Sequence, residues 1–485
     1  MRLYNTLTRC IEELDSKIEN KGEIYKKAAV VRIYLCGVTV YDDSHIGHAR
    51  TIILFDVLRR YLIFKGYCVK FIQNFTDVDD KIINRAKDEA VTAGDISAKF
   101  ISSYFNDFDS LNILRADQYP LATQNIEDMI VLIDNLMTKG HAYLTPNGVY
   151  FRIKSYSEYG KLSKKPIDEL ESGSRVEVDP SKENPLDFAL WKFYYEPPIW
   201  DSPWGKGRPG WHIECSAMAL KYLGSNFEIH GGGYDLLFPH HENEIAQSEA
   251  YSGKQFAKLW LHTGMVTINS EKMSKSLGNI VTIKEALKRW GMNALKIYCL
   301  SAQYSKPIDY TDKLLAESKQ RWRQIETCAY ELRFATSIDT IGVNDNGDNG
   351  DNGSKSKAME RLCNETMNSF QAAMDDNLNT TLALTEFMRF VTEINRHTAE
   401  GRLTRSISNS VLKVFNSFMN VLGLKIVEAT ETEKKEIEEL IVMRNKLRAE
   451  KKFQNSDELR RKLSEQYSVE LMDHKDRTIW KKVEN

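Results

Sequence analysis

The fold is decided by residues 30–75, which read VVRIYLCGVTVYDDSHIGHARTIILFDVLRRYLIFKGYCVKFIQNF. The run Val30 to Leu35 is apolar and β-branched, which predicts a buried parallel strand. Ala49 to Phe64 has the apolar spacing of a buried helix, Gly66 ends it, and Val69 to Phe75 predicts the next strand. Strand, helix and strand of this size form a right-handed βαβ crossover. The segment therefore predicts an α/β domain with a Rossmann-like parallel sheet.

Composition excludes several classes of protein. With 66 Lys and Arg against 68 Asp and Glu, the chain of 485 residues is no polycation, so any nucleic-acid surface must be a local patch. No segment has the length of apolar sequence that a membrane span needs, and the first twenty residues carry no signal pattern. Seven scattered cysteines do not form a disulfide framework. We therefore expect a soluble protein of the reducing cytoplasm.

The rest of the chain divides by its periodicity. Strand fragments at Gly148 to Ile153 lie in an apparent insertion, and the Rossmann pattern resumes near Trp211 to Leu223, with a strand at Asn226 to His230. From Asp312 to Leu424 the period is helical, except for a repeat of Asn, Asp and Gly that cannot build a core. The predicted parts are the first half of a Rossmann catalytic domain (1–111), a connective insertion (112–205), the second Rossmann half (206–262), a lysine-loop region (263–315), an α-helical bundle (316–426) with a disordered loop (344–353), and a small C-terminal module (427–485).

Two histidines stand where the first helix is predicted to begin. His45 and His48 are three residues apart, and a helix N-terminus offers unpaired N–H groups and a positive dipole end to an anion. Two imidazoles on one face add donors to a phosphate whose charge grows in the transition state. Gly47 removes a side chain where a nucleotide would approach. The alternative is an ordinary loop that happens to contain two histidines.

A second candidate for phosphate chemistry follows the middle of the chain. Lys272 and Lys275 lie in a segment that contains serines and Gly278. A lysine on a flexible stem suits a transferring phosphate and a departing pyrophosphate, and glycine gives a closing loop its hinge. Alone, the segment would be a solvated loop. With the histidine pair it predicts attack on the α-phosphate of ATP.

Four further residues form a set of soft metal ligands. Cys36 ends the first strand, at the sheet edge where ligands bind. Cys215 falls in a predicted helix, and His240 and Glu244 are four apart on one helix face after Pro239. Two thiolates, an imidazole and a carboxylate favour Zn²⁺ over Mg²⁺ or Ca²⁺. The alternatives are buried hydrophobic cysteines and a surface helix pair.

The number of candidate ligands conflicts with a catalytic role for the metal. Four protein ligands are typical of a closed structural zinc, whereas a catalytic zinc keeps one position open. A functional site therefore requires a fifth bond or the loss of a weak ligand, for which Glu244 is the best candidate. His241 could replace His240 by spacing, but its i+4 partner, Ile245, cannot bind a metal. A thiolate substrate would be a strong ligand and a hydroxyl analogue a poor one.

A glycine run follows the predicted strand that ends at His230. Gly231, Gly232 and Gly233 are not the dinucleotide fingerprint, so nicotinamide binding is poorly supported. Three glycines permit close approach to a flat ligand, and Asp235 can accept from ribose hydroxyls. A plain tight turn is the alternative. The run predicts ATP contacts by Gly231, Gly232 and Asp235.

These stretches together resemble one family, the class I cysteinyl-tRNA synthetases. The resemblance covers the whole length, and its most specific part is the run Gly232 to Gln247. The other matching stretches are 5–9, 34–50, 74–81, 185–188, 203–218 and 271–279. The resemblance implies that cysteinyl-adenylate is made and that the 3′-terminal adenosine of a cysteine tRNA is then esterified.

The resemblance also assigns roles to residues. It implies Zn²⁺, one per chain, held by Cys36, Cys215, His240 and Glu244, with the thiol of L-cysteine bound to it. It implies that Thr76 and Trp211 line the amino-acid pocket, and that His45, His48 and Lys275 serve ATP. Lys272 is a further catalytic candidate from the lysine segment, and we expect Mg²⁺ to accompany ATP. We expect a monomer that binds no membrane.

The tail resembles the family's anticodon-binding module more loosely. Arg444, Arg448 and Asp457 align with its motif, and Asp473 aligns after a shift of one residue. From Ile441 to the C-terminus, 12 Lys and Arg stand against 8 Asp and Glu, consistent with a local phosphate-facing patch. A charged helical tail without a partner is the alternative.

The sequence thus predicts a class I cysteine–tRNA ligase. The nearest rival is a ligase that joins activated cysteine to an amino sugar, but residues 316–485 argue against it. A zinc hydrolase would leave both ATP segments idle. An RNA-binding protein without catalysis would have no need of His45, His48, Lys272 and Lys275.

Overall fold

A computed structural model describes residues 1–14, 17–19, 28–164, 180–274, 277–337, 351–400, 405–473 and 478–483. The chain divides into two compact units. Unit 1 comprises Met1–Ile283, Ala302–Tyr310 and Asp375–Asn379. Unit 2 comprises Lys284–Ser301, Thr311–Met374 and Thr380–Asn485.

The strands of unit 1 are β1 (Arg2–Asn5), β2 (Cys10–Glu13), β3 (Lys17–Glu19), β4 (Ala28–Leu35), β5 (Cys68–Gln73), β6 (Ala142–Thr145), β7 (Gly148–Phe151), β8 (Phe188–Phe193), β9 (Gly207–Pro209), β10 (Phe227–Gly233), β11 (Ala257–Thr263), β12 (Val266–Ile268), β13 (Glu271–Lys272) and β14 (Ile308–Tyr310). Its helices are α1 (Ile46–Phe64), α2 (Asp80–Glu89), α3 (Ala93–Ser110), α4 (Ile126–Thr138), α5 (Trp211–Leu223) and α6 (Glu242–Ser252). Helix α7 (Ile283–Trp290) begins at the boundary with unit 2.

The catalytic sheet of unit 1 confirms the predicted fold class. Strands β5, β4, β10 and β11 pair in parallel in that order, and β3 runs antiparallel to the start of β4. Ile33 of β4 lies opposite Phe71 on one side and Ile229 on the other. Because helices cover such a sheet, its strands are buried along most of their length, which explains the nearly continuous apolar run of β4.

Helix α1 begins three residues before the predicted start at Ala49. His45 is its N-cap, and the histidine side chain accepts the N–H groups that a helix end leaves without partners. The sequence pattern did not reveal this earlier start, because histidine is an unusual N-cap residue. The consequence is that His48 lies within the first turn of α1.

The connective insertion contains α4 and an antiparallel sheet in the order β6, β7, β8 and β9. The predicted boundary at residue 205 is wrong, because β9 occupies Gly207–Pro209 and completes this sheet. The proline obscured the strand in the sequence, but a proline is tolerated on an edge strand such as β9.

Unit 2 is predominantly helical, as predicted. Its further elements are α8 (Met292–Leu300), α9 (Asp312–Ser337), α10 (Asp351–Asp375), α11 (Thr380–Ala399), α12 (Arg405–Val421), α13 (Glu431–Ala449), α14 (Phe453–Tyr467), β15 (Val469–Asp473) and β16 (Thr478–Lys482). Phenylalanines of α10, α11 and α12 pack on one another in its core, with Phe418 in contact with Phe370, Phe387 and Phe390.

The predicted disordered loop at 344–353 is wrong for its last three residues, because α10 begins at Asp351. An established helix adds a further turn at little cost, because each added residue gains a hydrogen bond once the helix exists. Residues 344–350 lie outside the described residues.

The end of unit 2 is a small module. Helices α13 and α14 pack with the antiparallel hairpin β15–β16 around Ile437, Ile441, Leu463 and Leu471. Among the described residues of the whole chain, no helix has the length and hydropathy required to cross a membrane.

Candidate active site

Ten of the predicted site residues of unit 1 line one cleft of about 450 Å³. It lies at the carboxyl end of β4, where an open parallel sheet binds ligands. Predicted metal ligands and predicted phosphate-binding residues both lie at this cleft. Its lining includes Cys36, His45, Gly47, His48, Thr76, Trp211, Cys215, Asp235, His240 and Lys272.

The four predicted metal ligands come together at the base of this cleft. The Cys36 Sγ atom lies 3.7 Å from Cys215 Sγ and 3.3 Å from Glu244 Oε1. The Nε2 atom of His240 lies 3.0 Å from the same Glu244 oxygen. All four side chains are buried, and their ligand atoms lie within 4.8 Å of one another.

Three elements place these ligands. Cys36 directly follows β4, Cys215 lies in the second turn of α5, and Glu244 lies in the first turn of α6. His240 belongs to a distorted turn, residues 237–241, that leads into α6 rather than to the helix itself. The i, i+4 relation of His240 and Glu244 nevertheless holds across this junction.

The ligand spacing fits a tetrahedral zinc. Two thiolates bound at about 2.3 Å to a tetrahedral ion lie about 3.8 Å apart, close to the observed 3.7 Å. Burial raises the pKa of Cys36, and donation from Cys36 lowers the pKa of Cys215 to about 6. Burial alone would raise the pKa of Glu244, but His230 and His240 outweigh it and hold that pKa well below its usual range. The donor set is therefore suited to a soft divalent cation.

Further histidines surround the ligands, and the sequence reasoning missed them. His212 Nδ1 lies 2.9 Å from His240 Nδ1, so the pair shares a proton on the side away from the cluster. His230 Nε2 lies 2.8 Å from Glu244 Oε2. The position of His212 three residues before Cys215 on α5 is a signal that could have revealed it.

His241 offers a second ligand set. Together with His230, Cys36 and Glu244 it forms an overlapping group of buried donors. His241 Nδ1 lies 2.8 Å from His262 Nε2, while its own Nε2 is buried and has no hydrogen-bond partner among the described residues. The sequence argument considered only the i+4 partner of His241, whereas Glu244 lies at i+3, 3.9 Å away.

The histidine pair caps α1 reciprocally. His45 Nδ1 accepts the N–H of Gly47 at 3.1 Å, and His48 Nδ1 accepts the N–H of His45 at 3.4 Å. The rings stack with centroids 3.7 Å apart. Burial, together with His45, lowers the pKa of His48 well below its usual value. Since Nδ1 accepts, the proton of the neutral ring lies on Nε2, which makes that nitrogen a donor.

The lysine segment approaches this pair from the other wall. Lys272 is exposed in β13 and lines the cleft with Met273. A Cβ at Gly47 would lie 3.2 Å from Met273 Cε, so the glycine keeps the two segments close. Lys275 lies outside the described residues, and its predicted role is untested.

The glycine run extends the strand that was predicted to end at His230. It forms the end of β10, where a Cβ at Gly231 would lie 2.0 Å from the Phe55 ring and one at Gly232 would lie 2.9 Å from His241. Their missing side chains thus accommodate protein neighbours. Gly233 and Asp235 line the cleft instead. The proximity to α1 that requires these glycines arises only from tertiary packing.

The predicted amino-acid pocket lies beside the metal cluster. Thr76 Oγ1 donates to Glu214 Oε2 at 3.0 Å, and burial raises the pKa of Glu214. The Trp211 ring stacks on His240 with centroids 4.3 Å apart and remains 40% exposed. Trp211 therefore covers a metal ligand from the cleft side.

The predicted tRNA contacts in unit 2 differ among themselves. Arg444 is buried and donates through both terminal nitrogens to Asp473, each bond 2.6 Å long. Arg448 is half exposed and donates to the same carboxylate at 2.9 Å. Asp457 is exposed on α14. Arg444 and Asp473 therefore hold β15 on α13, a structural role that the sequence could not distinguish from phosphate contact.

Comparison with known proteins agrees with this site. A family model described as tRNA synthetases class I (C) catalytic domain matches residues 23–320, and one described as DALR domain matches residues 369–426. A cysteine–tRNA ligase of Thermodesulfovibrio yellowstonii is 46% identical, with 99% of each chain covered. One of Caldicellulosiruptor saccharolyticus is also 46% identical, with 96% of each covered.

Solved structures share the fold. A methionyl-tRNA synthetase of Mycobacterium tuberculosis in complex with methionyl-adenylate has a TM-score of 0.61 at 14% identity, over 81% of this chain and 89% of that one. A LeuRS–tRNA–LeuAMS ternary complex of Agrobacterium radiobacter has a TM-score of 0.62 at 10% identity, over 83% and 85%.

The cleft combines a Rossmann-like sheet, a histidine pair that caps a helix, and the hairpin β12–β13 that carries Lys272 (the lysine hairpin). Together with the family match, these features define a class I aminoacyl-tRNA synthetase. Relatives that match over nearly the full length narrow this class further. The chain belongs to the cysteine–tRNA ligase family.

Proposed function

We propose that this chain ligates L-cysteine to its tRNA in two steps, through cysteinyl-adenylate, and releases pyrophosphate and AMP. The observation that carries the proposal is one cleft in which a buried Cys, Cys, His and Glu cluster lies beside the histidine pair and Lys272. The cluster suits the thiol of cysteine, and the other residues suit the phosphates of ATP.

In the first step the cysteine carboxylate attacks the α-phosphorus, and the bond to pyrophosphate breaks. The Nε2–H groups of His45 and His48 and the N-terminus of α1 donate to the phosphate as its charge grows. Lys272 and Lys275 offset the charge of the leaving pyrophosphate, with Mg²⁺ accompanying ATP. Catalysis is then positioning and electrostatics, with no covalent enzyme intermediate.

We assign Cys36, Cys215, His240 and Glu244 as the residues that would hold a zinc ion. When bound, zinc would offer a coordination position to the cysteine thiolate and only a weak bond to the hydroxyl of serine. Glu244 is the ligand suited to give way, because His230 holds its other oxygen.

The walls of the pocket complete the selection. Trp211 limits the space above His240, and Thr76 fixes the opposite side. A purely apolar pocket gives only a modest preference between substrates of similar size, whereas loss of a strong metal bond discriminates far more. Selection against serine therefore rests on the thiol.

In the second step the cysteinyl group passes to the 3′-terminal adenosine of the tRNA. Exposed residues of the C-terminal module, Arg448 and Asp457, are the better candidates for tRNA contact, because Arg444 is buried against Asp473. Asp235 is the candidate for the ribose of ATP, since it lines the cleft.

The proposal is tested by cysteine-dependent ATP–pyrophosphate exchange. We expect exchange with cysteine, none with serine, and loss of exchange after zinc chelation that zinc restores. Cys215→Ser should abolish most exchange because it removes one of two thiolates. A matched control is Cys68→Ser, which changes a cysteine on β5 that is not a member of either ligand group.

Two outcomes would contradict the proposal. Absence of exchange with cysteine in the zinc-loaded protein would remove the enzymatic assignment. Full exchange by Cys215→Ser that still excludes serine would remove zinc from the selection of the substrate while leaving adenylate formation intact.

A further inference from the structure

Arg50 of α1 is the feature that the proposed chemistry leaves unexplained. It lies two residues after His48 and is fully buried. Its Nη1 atom donates to the carbonyl oxygens of Gly264 and Met265, both at 3.0 Å. Its Nη2 atom donates to the carbonyl of Gln303 at 3.3 Å and to that of Lys306. One guanidinium thus joins α1 to two separate backbone segments.

Both segments lead directly into the strands that carry the lysine hairpin. Met265 directly precedes β12, and one residue separates Lys306 from β14. Strand β12 pairs with β14 in parallel and with β13 in an antiparallel manner. Lys272 lies at the end of β13, so the hairpin rests on the two segments that Arg50 joins.

The junction is tightly packed. A Cβ at Gly264 would lie 2.1 Å from the carbonyl oxygen of Lys306, so the two backbones touch where Arg50 bridges them. The amide of Gly264 donates to Tyr304 at 2.8 Å, and that of Ile308 donates to Met265 at 3.0 Å. The bonds of the guanidinium therefore act on a close backbone contact that leaves little room to shift.

The other end of the lysine segment is fixed to the same helix. Ile46 donates its amide to Val281 at 3.1 Å, and Ile283 donates to Ser44 at 2.9 Å. Residues 266–280 are consequently held at both ends by the segment that contains His45 and His48. Of these two attachments, only the Arg50 attachment depends on a side chain that a substitution can remove.

We infer that Arg50 is a positioning residue for the lysine hairpin. Its guanidinium sets the base of β12 and β14 against α1 and so fixes the distance from Lys272 to the histidine pair. This inference rests on the proposed catalytic role of Lys272. A lysine at position 50 cannot reproduce it, because one ammonium group cannot span four carbonyl oxygens with the geometry of a planar fork.

The test compares Arg50→Lys and Arg50→Gln with Arg59→Lys. Arg59 is the matched control, because it is a buried arginine of the same helix that donates to Arg115 and Asp117, away from the hairpin. We expect both Arg50 variants to lower the kcat of pyrophosphate exchange by about 10- to 100-fold, with the KM for cysteine nearly unchanged. Arg59→Lys should change kcat by no more than about twofold.

A double-mutant cycle separates positioning from general destabilisation. Lys272→Ala should lower the kcat of pyrophosphate exchange by a much smaller factor in an Arg50→Lys background than in the unmutated chain. The reason is that the hairpin is already misplaced in that background. In an Arg59→Lys background, Lys272→Ala should lower kcat by the same factor as in the unmutated chain. Additive effects of Arg50→Lys and Lys272→Ala, or equal kcat losses in the two arginine variants, would overturn the inference.

Hydrogen exchange gives a readout that needs no activity and no variant. In the unmutated protein the amides of Gly264 and Ile308 should exchange as slowly as those of β4. Arg50→Lys should accelerate exchange in residues 266–272 and leave β5 unchanged. Fast exchange at Gly264 and Ile308 would overturn the inference even if no Arg50 variant folded. Absence of exchange of pyrophosphate in the unmutated chain would instead contradict the proposed function.

Discussion

At the residue scale, the proposed metal cluster is supported by His212, a histidine that belongs to neither group of candidate ligands. His212 holds the Nδ1 side of His240, which fixes the ring so that Nε2 faces Glu244 and the cluster. Such a partner selects the tautomer and orientation of a ligating imidazole. The partly buried ring of His212 also contacts Trp211, so one side chain orients both the candidate ligand and the aromatic wall of the pocket.

We predict that His212→Ala lowers zinc affinity by about 10- to 100-fold, because His240 loses the partner that orients it. The measurement is competition for zinc with a chromophoric chelator. The control is His141→Ala, which removes a histidine of the insertion whose side chain hydrogen-bonds to Ser155. Equal zinc affinity in the two variants would show that His212 does not support the metal site.

At the element scale, α1 joins the fold to the chemistry. Its N-terminal turn is capped by His45 and His48, its body is buried against the sheet, and its first turns carry Arg50. A histidine pair that satisfies the helix end also directs two Nε2 donors outward. In the proposed mechanism, the same two side chains therefore both cap the helix and bind the phosphate.

We predict that the capping pair makes stability depend on pH. The pKa of His48 is lowered in the folded chain, so below about pH 6.5 the unfolded chain binds a proton that the folded chain does not. The free energy of unfolding should then fall by up to about 1.4 kcal/mol for each unit of pH below 6.5 from this group.

His48→Gln tests this dependence, since glutamine at the same position keeps the capping box but cannot titrate. Denaturant unfolding between pH 5 and 7 should show a slope that is shallower by about one proton in the variant. An identical slope in both chains would contradict the assignment of the titration to His48.

At the scale of the whole molecule, the chain separates adenylate chemistry from the C-terminal module. Unit 1 contains every described residue of the metal cluster and of the cleft. Unit 2 contains the helical bundle and a module whose core is small. Because that core is small, ion pairs carry much of the organisation of the module. They are the pair of Arg444 and Asp473 and the pairs that the buried Lys481 makes with Glu326 and Glu470.

We predict that Asp473→Asn destabilises the C-terminal module by about 3–5 kcal/mol, because it leaves the buried Arg444 without its carboxylate partner. Calorimetry would detect the loss as a lowered unfolding temperature. Pyrophosphate exchange should stay within about twofold, because the cleft lies in unit 1, whereas tRNA charging should fall.

Asp457→Asn is the control for that experiment, since Asp457 is exposed and its replacement should alter stability by less than about 0.5 kcal/mol. A loss of charging by Asp457→Asn at unchanged stability would support its assignment to tRNA contact. Exchange that fell together with charging in Asp473→Asn would contradict the separation of the two activities.

The sequence by itself determined the βαβ unit, and it predicted the four candidate metal ligands and the two candidate phosphate-binding segments. Each is encoded locally: β4 by a continuous apolar run, His240 and Glu244 by helical spacing, and His45 and His48 by their place before an amphipathic helix. Local patterns of this kind predict structure because backbone geometry fixes which residues of a helix or strand share a face.

Only the tertiary structure decided which residues support that chemistry. Gly231 proved to leave room for the Phe55 ring, Arg444 proved to be buried against Asp473, and Arg50 proved to join α1 to the base of the lysine hairpin. Their partners lie 29 or more residues away in the chain. No local period encodes such distances, and the partners meet only when burial of the apolar surface brings the elements together.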